Sequence, residues 1–399
     1  MKSMKKMYLL WVAVLVAVGM TACSKEDKVV STENGVGGVV LSFGLGKSVG
    51  TRAVTPSTAK PNTTWRDNIK DLMVLFVEDG RVKDARTIEP VPTSSDLGVK
   101  NVVFMNIKAS ADNKTYDVYV IANSQQANIR TEKGNGKIWD MSTCVGASVT
   151  DLMMKLVESP DFVRSGQSEA NAVGYKEPAE IFVARQTGIT IVADENNEIQ
   201  TPFQLERVIS LMRVRIDQSK NGNDRVSFAD ADASFRIRRA TTSVNPLKTI
   251  ARGNVDQVLF TKGGFKTTDP TSGYDGGTIL NPAENITLWQ DIRMLPGGSA
   301  DKGSEKFDIL LIGKAPAGYY PLGVDSPLTE PADVAWTAAV GTPVDPNYIL
   351  EINLILERAG IWLDNPADPG IPEPGKYGNA GIFIKLTPWG QIVSEDIPL

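Results

Sequence analysis

Histidine is absent from all 399 residues. That removes Ser-His-Asp and Cys-His catalysis, where the imidazole carries the proton, and it removes the zinc sites that rely on imidazole ligands. Cysteine is nearly absent, with Cys23 and Cys144 as the only two. Positive charge is in deficit: 42 basic side chains face 47 acidic ones, a net of −5. Residues 1–52 hold seven of the basic and three of the acidic side chains, so the remainder carries 35 against 44, or −9. Nucleic acid is therefore not an expected partner, because phosphate binding needs a basic face. Asp and Glu are numerous enough for glycoside hydrolysis by a carboxylate pair, but no spacing marks a pair, and the chain is not expected to be an enzyme. No catalytic residue, metal or cofactor is expected. Asp224, Asp230 and Asp232 cluster without an EF-hand pattern and read as a solvated acidic loop.

One long apolar run is present. Tyr8 to Met20 is interrupted only by Gly19 and follows Lys2, Lys5 and Lys6. At about 13 residues it is short of the roughly 20 that a spanning helix needs. A basic start, a short apolar stretch and small residues before a cut make a secretory signal. This one closes on Met20-Thr21-Ala22-Cys23, which resembles a bacterial lipoprotein signal. Residues 1–22 would be removed, and the Cys23 thiol would be acylated as the first mature residue. Cys144 then has no partner within the chain, so no intramolecular disulfide is expected. It reads as a small buried apolar residue.

The rest reads as strands. Val39, Leu41, Phe43 and Leu45 alternate with Val40, Ser42, Gly44 and Gly46, which is period two. Leu72 to Val77, Val102 to Ile107 and Tyr116 to Ala122 follow, and Ile181–Ala184 and Ile189–Val192 flank Gln186-Thr187-Gly188 as a hairpin candidate. Phe203 to Ile216 reads as one strand with Arg207, Arg213 and Arg215 on one face. Ser234–Arg238, Gln257–Thr261, Thr287–Trp289, Phe307–Ile312 and Tyr348–Leu356 continue the pattern. One helix is expected, at Thr150–Val157, with Thr150 as its cap and Leu152, Met153, Leu156 and Val157 at helical spacing. Short strands separated by Gly, Pro, Asn and Asp predict an all-β chain of two β-sandwich domains in tandem, with few short helices. Polar Lys220–Asp224 sets the expected boundary, giving domains over 53–218 and 219–399.

Two segments stand apart. Residues 47–64 are polar and rich in small residues, and hold Arg52-Ala53, the only arginine before Arg66. Residues 364–375 carry Pro366, Pro369, Pro372 and Pro374, which excludes a central strand and suggests a hinge. Beyond it Ile382, Ile384 and Leu386 alternate with Phe383, Lys385 and Thr387 until Pro388-Trp389.

An acylated start, a first strand followed by an arginine, an all-β middle and a detached last strand together resemble the fimbrillins, subunits of type V pili in Gram-negative anaerobes. Asn68 to Phe76, Tyr116 to Asn123 and Leu205 to Val214 resemble strands of that family, and Ser24-Lys25-Glu26-Asp27 resembles its surface-export signal. Ser210-Leu211-Met212 departs from the small and basic residues usual there. The resemblance implies sandwiches of transthyretin-like, Greek-key type and a pilus subunit that reaches the outer membrane as a lipoprotein and ends in a cell-surface fimbria; the arginine loop and the detached last strand together favour a stalk subunit. An Arg-specific protease would cut at Arg52-Ala53, and the propeptide 23–52 would leave with Val39, Leu41, Phe43 and Leu45. A neighbouring subunit would then fill the groove with residues 377–399, using Ile382, Ile384, Leu386 and Trp389. Partners are thus other pilus subunits, the protease, the membrane through the lipid, and a host or bacterial surface ligand. Alternatives are a pilus tip adhesin, an anchor subunit that keeps its lipid, or a glycan-binding lipoprotein using exposed tryptophans among Trp65, Trp139, Trp289, Trp336, Trp362 and Trp389.

Overall fold

A computed structural model describes residues 35–45, 70–88, 101–111, 114–125, 129–133, 144–160, 173–201, 203–229, 234–238, 240–245, 247, 258–260, 265–267, 288–297, 307–341, 345–363 and 381–388. The chain is all-β. Its first half holds β1 (Val36–Leu45), β2 (Leu72–Glu78), β3 (Arg81–Ile88), β4 (Asn101–Lys108), β5 (Tyr116–Ala122), β6 (Ile129–Lys133), β7 (Leu152–Leu156), β8 (Phe182–Ile189), β9 (Asn196–Glu198) and β10 (Phe203–Arg207). Then come β11 (Ser210–Asp217), β12 (Ser234–Arg238), β13 (Ser243–Val244), β14 (Val258–Phe260), β15 (Lys266–Thr267) and β16 (Leu288–Met294). The chain ends with β17 (Phe307–Ala315), β18 (Ala332–Val340), β19 (Tyr348–Ile355), β20 (Ile361–Trp362) and β21 (Gly381–Pro388). Among the described residues no helix is long and apolar enough to cross a membrane.

The first sandwich is one sheet folded back on itself, in the order β3-β2-β5-β8-β10-β1-β4 with β9 beside β1. β10 turns the corner: Phe203 to Leu205 pair with β1, and Glu206 and Arg207 pair with β8. A strand that switches sheets in this way closes one side of a sandwich. At the opposite side the Arg86 guanidinium of β3 donates to the Asn106 carbonyl of β4 at 2.8 Å. The enclosed core takes alternate residues from each strand, among them Val39, Leu41, Leu72, Val74, Phe76, Ile107, Val118, Val120 and Phe203. β2 is buried on both faces. Its other row, Met73, Leu75 and Val77, packs with Leu152, Met154 and Leu156 of β7. Continuous apolar sequence is what a strand covered on both sides requires.

The second sandwich packs sheet β15-β16-β11-β19-β21 against sheet β14-β12-β17-β18-β20. Met212, Val214 and Ile216 meet Phe235, Ile237, Ile309, Leu311 and Trp336 in its core. The opposite face of β11 carries buried charge. The Arg213 guanidinium forks onto Asp291 at 2.8 and 3.0 Å, and Arg215 lies 2.5 Å from Glu351. Burial pushes the Asp291 carboxyl up from its ordinary value, against the pull of Arg213.

Three expectations are corrected. The helix expected at Thr150–Val157 is a 3-10 turn over Val149–Asp151, capped by the Ser148 hydroxyl accepting from Thr150 N–H, followed by β7. β7 hydrogen-bonds to β6 and β13, which imposes period two: Leu152, Met154 and Leu156 are buried and Lys155 is exposed. The hairpin candidate at Gln186-Thr187-Gly188 is a bulge within the single strand β8. There the register against β5 shifts, and Gly188 takes φ +74°, a conformation glycine adopts without steric cost. The strand expected over Phe203–Ile216 breaks at Val208-Ile209 into β10 and β11. β11 precedes the expected boundary at 218, and both its sheet neighbours, β16 and β19, follow it.

Candidate functional site: the seat of the first strand

β1 is an interior strand, although it comes first in the described chain. Along one side it runs antiparallel to β4 from Val36↔Lys108 to Phe43↔Asn101. Along the other it runs parallel first to β9 and then to β10. Parallel neighbours need a distant return of the chain, and here they come from about 160 residues downstream, at the sequence separation of 159 between Gly38 and Asn197.

The N-terminal half of the seat is built by the connection from β8 to β10. Gly38 N–H donates to the Glu195 carbonyl at 2.9 Å, Asp194 N–H to the Val36 carbonyl at 3.0 Å, and Ile199 N–H to the Val40 carbonyl at 2.9 Å. Asn197 ties the connection together. Its Oδ1 accepts from Val192 N–H at 2.8 Å. Its Nδ2 lies 3.0 Å from the Val192 carbonyl, 3.1 Å from that of Glu195 and 3.1 Å from that of Gly38. On the β4 side Ala109 N–H donates to the Gly35 carbonyl at 2.7 Å.

The inner row of β1 begins at Gly37 and continues through Val39 and Leu41, both with no exposed surface. Burying such a side chain fully is worth about 1.5–3 kcal/mol. Gly37 is held closed: a Cβ there would lie 2.3 Å from the Val192 carbonyl oxygen and 2.8 Å from both Asn197 Nδ2 and Ile191 Cγ2. Ile191 belongs to the same core and fills the space that a side chain at 37 would take.

β10 continues into the second sandwich through a locked joint. The Arg207 guanidinium donates to Glu180 at 3.2 Å and to Asn347 Oδ1 at 3.0 Å, and lies 5.2 Å over the Phe182 ring. Burial pulls it below the ordinary arginine value, and Glu180 opposes that shift. Asn347 N–H donates to the Ile209 carbonyl at 2.9 Å, and Asn347 leads straight into β19.

Of the residues singled out from sequence, Val39 and Leu41 lie in this seat, and Phe43 and Leu45 sit on β1 in register with Phe203 and Leu205. Ile382, Ile384 and Leu386 lie elsewhere, on β21, opposite Leu354, Ile352 and Leu350 of β19. Among the described strands β21 pairs with β19 alone, at the end of its sheet. Cys23, Arg52, Ala53 and Trp389 fall outside the described residues, as do Asp230 and Asp232. Cys144 is buried. Among the described residues no three Cys, Asp or Glu side chains are grouped as metal ligands. Trp336 lies in the second core and donates from Nε1 to the Arg358 carbonyl at 3.0 Å. The sequence reading missed Gly37 and Asn197. A Gly37-Gly38 pair at the head of an alternating strand was the available signal, since glycine within a strand marks a close backbone approach.

No family model matches the chain, and no curated protein matches its sequence. Similar solved structures include a fimbrilin from Porphyromonas gingivalis W83, 16% identical, covering 88% of this chain and 97% of that one, with a TM-score of 0.42. The fimbrial anchor protein Mfa2 of Porphyromonas gingivalis is 11% identical, covering 88% and 98%, with a TM-score of 0.43. A candidate cell adhesion protein from Parabacteroides distasonis is 13% identical, covering 89% and 99%, with a TM-score of 0.47.

Proposed function

We propose that this chain is a structural subunit, of stalk type, of a cell-surface fimbria that assembles by strand exchange. The reading rests chiefly on one observation: the first described strand is an inner strand of the first sandwich and supplies Val39 and Leu41 to its core. Such a strand is joined to the body through the sequence that holds Arg52. In this reading the precursor is acylated at Cys23 and carried to the outer membrane. Cleavage at Arg52-Ala53 by an Arg-specific protease frees residues 23–52.

Departure of β1 uncovers apolar pockets and two rows of unpaired backbone groups, and a strand added from another subunit restores both. The donor in this reading lies within residues 377–399 of a second copy, with Ile382, Ile384 and Leu386 refilling the pockets. Since among the described strands β21 is held by one neighbour, its release breaks one ladder and leaves the other described pairings of its sheet intact. A chain that gives one strand and accepts another makes a heterologous contact, which propagates as a filament. The two sandwiches, meeting between β10 and β11, would form the repeating unit.

The test is limited digestion of the unlipidated chain by an Arg-specific protease, followed by N-terminal sequencing and electron microscopy beside Arg52→Ala. A new terminus at Ala53 with filaments, both lost in Arg52→Ala, is the expected result. An intact Arg52-Ala53 bond in the folded protein rejects activation by proteolysis.

A further inference from the structure

We propose that the connection over residues 191–197 is a register gauge for the strand seated in the first sandwich: it admits only a strand with glycine at the place of Gly37. The inference rests on the exchange reading for the incoming strand, and on geometry alone for β1.

Three contacts make the gauge. The nearest obstacle to a Cβ at position 37, at 2.3 Å, is the main-chain carbonyl of Val192 rather than the end of a flexible side chain. Asn197 accepts from Val192 N–H and lies within hydrogen-bonding reach of its carbonyl, so the obstacle is pinned from both sides of the same residue. The Asn197 amide also lies 3.1 Å from the Gly38 carbonyl, which fixes the strand against the obstacle. Two residues further along, the inner row opens into the pockets of Val39 and Leu41. A strand shifted by one residue would reverse every side chain between core and surface. Shifted by two in one direction, β1 would keep its faces but thrust Val39 onto the Val192 carbonyl; shifted the other way, it would bring Gly35 to the gauge and leave Gly37 in the pocket of Val39. The gauge excludes the first of these, against which apolar alternation gives no protection, and the emptied Val39 pocket opposes the other.

The rule selects one register in a second copy of this chain. Gly378 and Gly381 both lead into the alternating row. With Gly381 at the gauge and the strand running as β1 does, Lys385 would take the place of Leu41 and bury an ammonium group in an apolar core. A reversed strand with Gly390 at the gauge would put Pro388 in the place of Val39, in an interior strand where proline is excluded. With Gly378 at the gauge, Ala380, Ile382, Ile384 and Leu386 take the places of Val39, Leu41, Phe43 and Leu45. The occupant assigned is therefore residues 378–386 of a second copy in that register.

Two measurements on the full mature chain, unlipidated through Cys23→Ser, test this. The first is hydrogen exchange on Gly37→Val and Gly37→Ala. Amides of residues 36–45 should lose protection in Gly37→Val and to a lesser degree in Gly37→Ala, while amides of β17 stay protected and report that the second sandwich is folded. Wild-type protection of 36–45 in Gly37→Val overturns the gauge. The second is disulfide trapping after protease activation. Met105 stands opposite Val39 across the β1–β4 ladder. Met105→Cys in the acceptor should cross-link to Ala380→Cys in the donor and not to Ile382→Cys. The reverse pattern overturns the assigned register. If neither pair links and no filament forms while the first measurement holds, the exchange reading falls, and the gauge stands as a device for the chain's own first strand.

Discussion

Tyr319 shows how much of this molecule is settled by single buried polar atoms. Its hydroxyl donates to Asn223 Oδ1 at 2.7 Å and accepts from Gly360 N–H at 2.7 Å. Asn223 in turn donates to the Leu356 and Arg358 carbonyls at 2.8 and 2.9 Å. Tyr319→Phe leaves a buried donor and a buried acceptor unmet, and should cost about 1–3 kcal/mol in urea unfolding. Burial pushes the phenol up to about 12, against the smaller opposing effect of the Gly360 bond. A raised value means stability that is complete below the ordinary tyrosine value of 10.0 and is lost as pH rises through about 12. Wild type should therefore lose more stability than Tyr319→Phe between those values, which alkaline unfolding followed by near-ultraviolet absorbance would measure. Nothing in the sequence near Tyr319 marks this role, since its partners lie 96 and 41 residues away. Arg213 and Arg215 teach the same lesson. They read as a charged face of a strand, yet they are buried because Asp291 and Glu351 arrive beside them on β16 and β19.

At the scale of elements, β7 separates the two periodicities. Leu152, Met153, Leu156 and Val157 fit a helix, and Leu152, Met154 and Leu156 fit a strand. A row of five residues satisfies both, and only the neighbours β6 and β13 decide. Met154 has no exposed surface, while Met153 is partly exposed. Met154→Ala should cost about 2–5 kcal/mol, whereas Met153→Ala should cost under about 1 kcal/mol, with urea unfolding as the measurement. β2, β4 and β5 were legible from their largely apolar runs, and β12 and β19 from alternation of apolar with polar residues. β18 was not: Ala332 to Val340 holds four alanines, and alanine is depleted in strands. It is a strand because β17 pairs with it along its whole length and Trp336 sits in the core. β1 was legible as a strand from its alternation. Its interior place was not, because β9 and β10 come to it from the far end of the domain.

For the whole molecule, the long return that completes the first sandwich means its seat stays unfilled until β1 arrives. A chain lacking residues 24–45 should keep the second sandwich, whose strands come from residues after 209, and leave the first core open. Such a chain should bind ANS strongly while β17 and β19 amides stay protected. Weak ANS binding equal to that of the intact chain would mean that the first sandwich closes without β1. The joint at Arg207 has a mechanical consequence. Only Val208 and Ile209 separate β10, which flanks the seat, from β11, which flanks β19. A pull along a strand in the seat loads its ladder bonds together, in shear, instead of opening them one at a time. The load then passes into β11 and across to β19, the strand that holds β21. The Arg207–Glu180–Asn347 cluster braces that short crossing against bending, so the tether between the two ends of the load path is stiff, and the ladders would part before the joint extends.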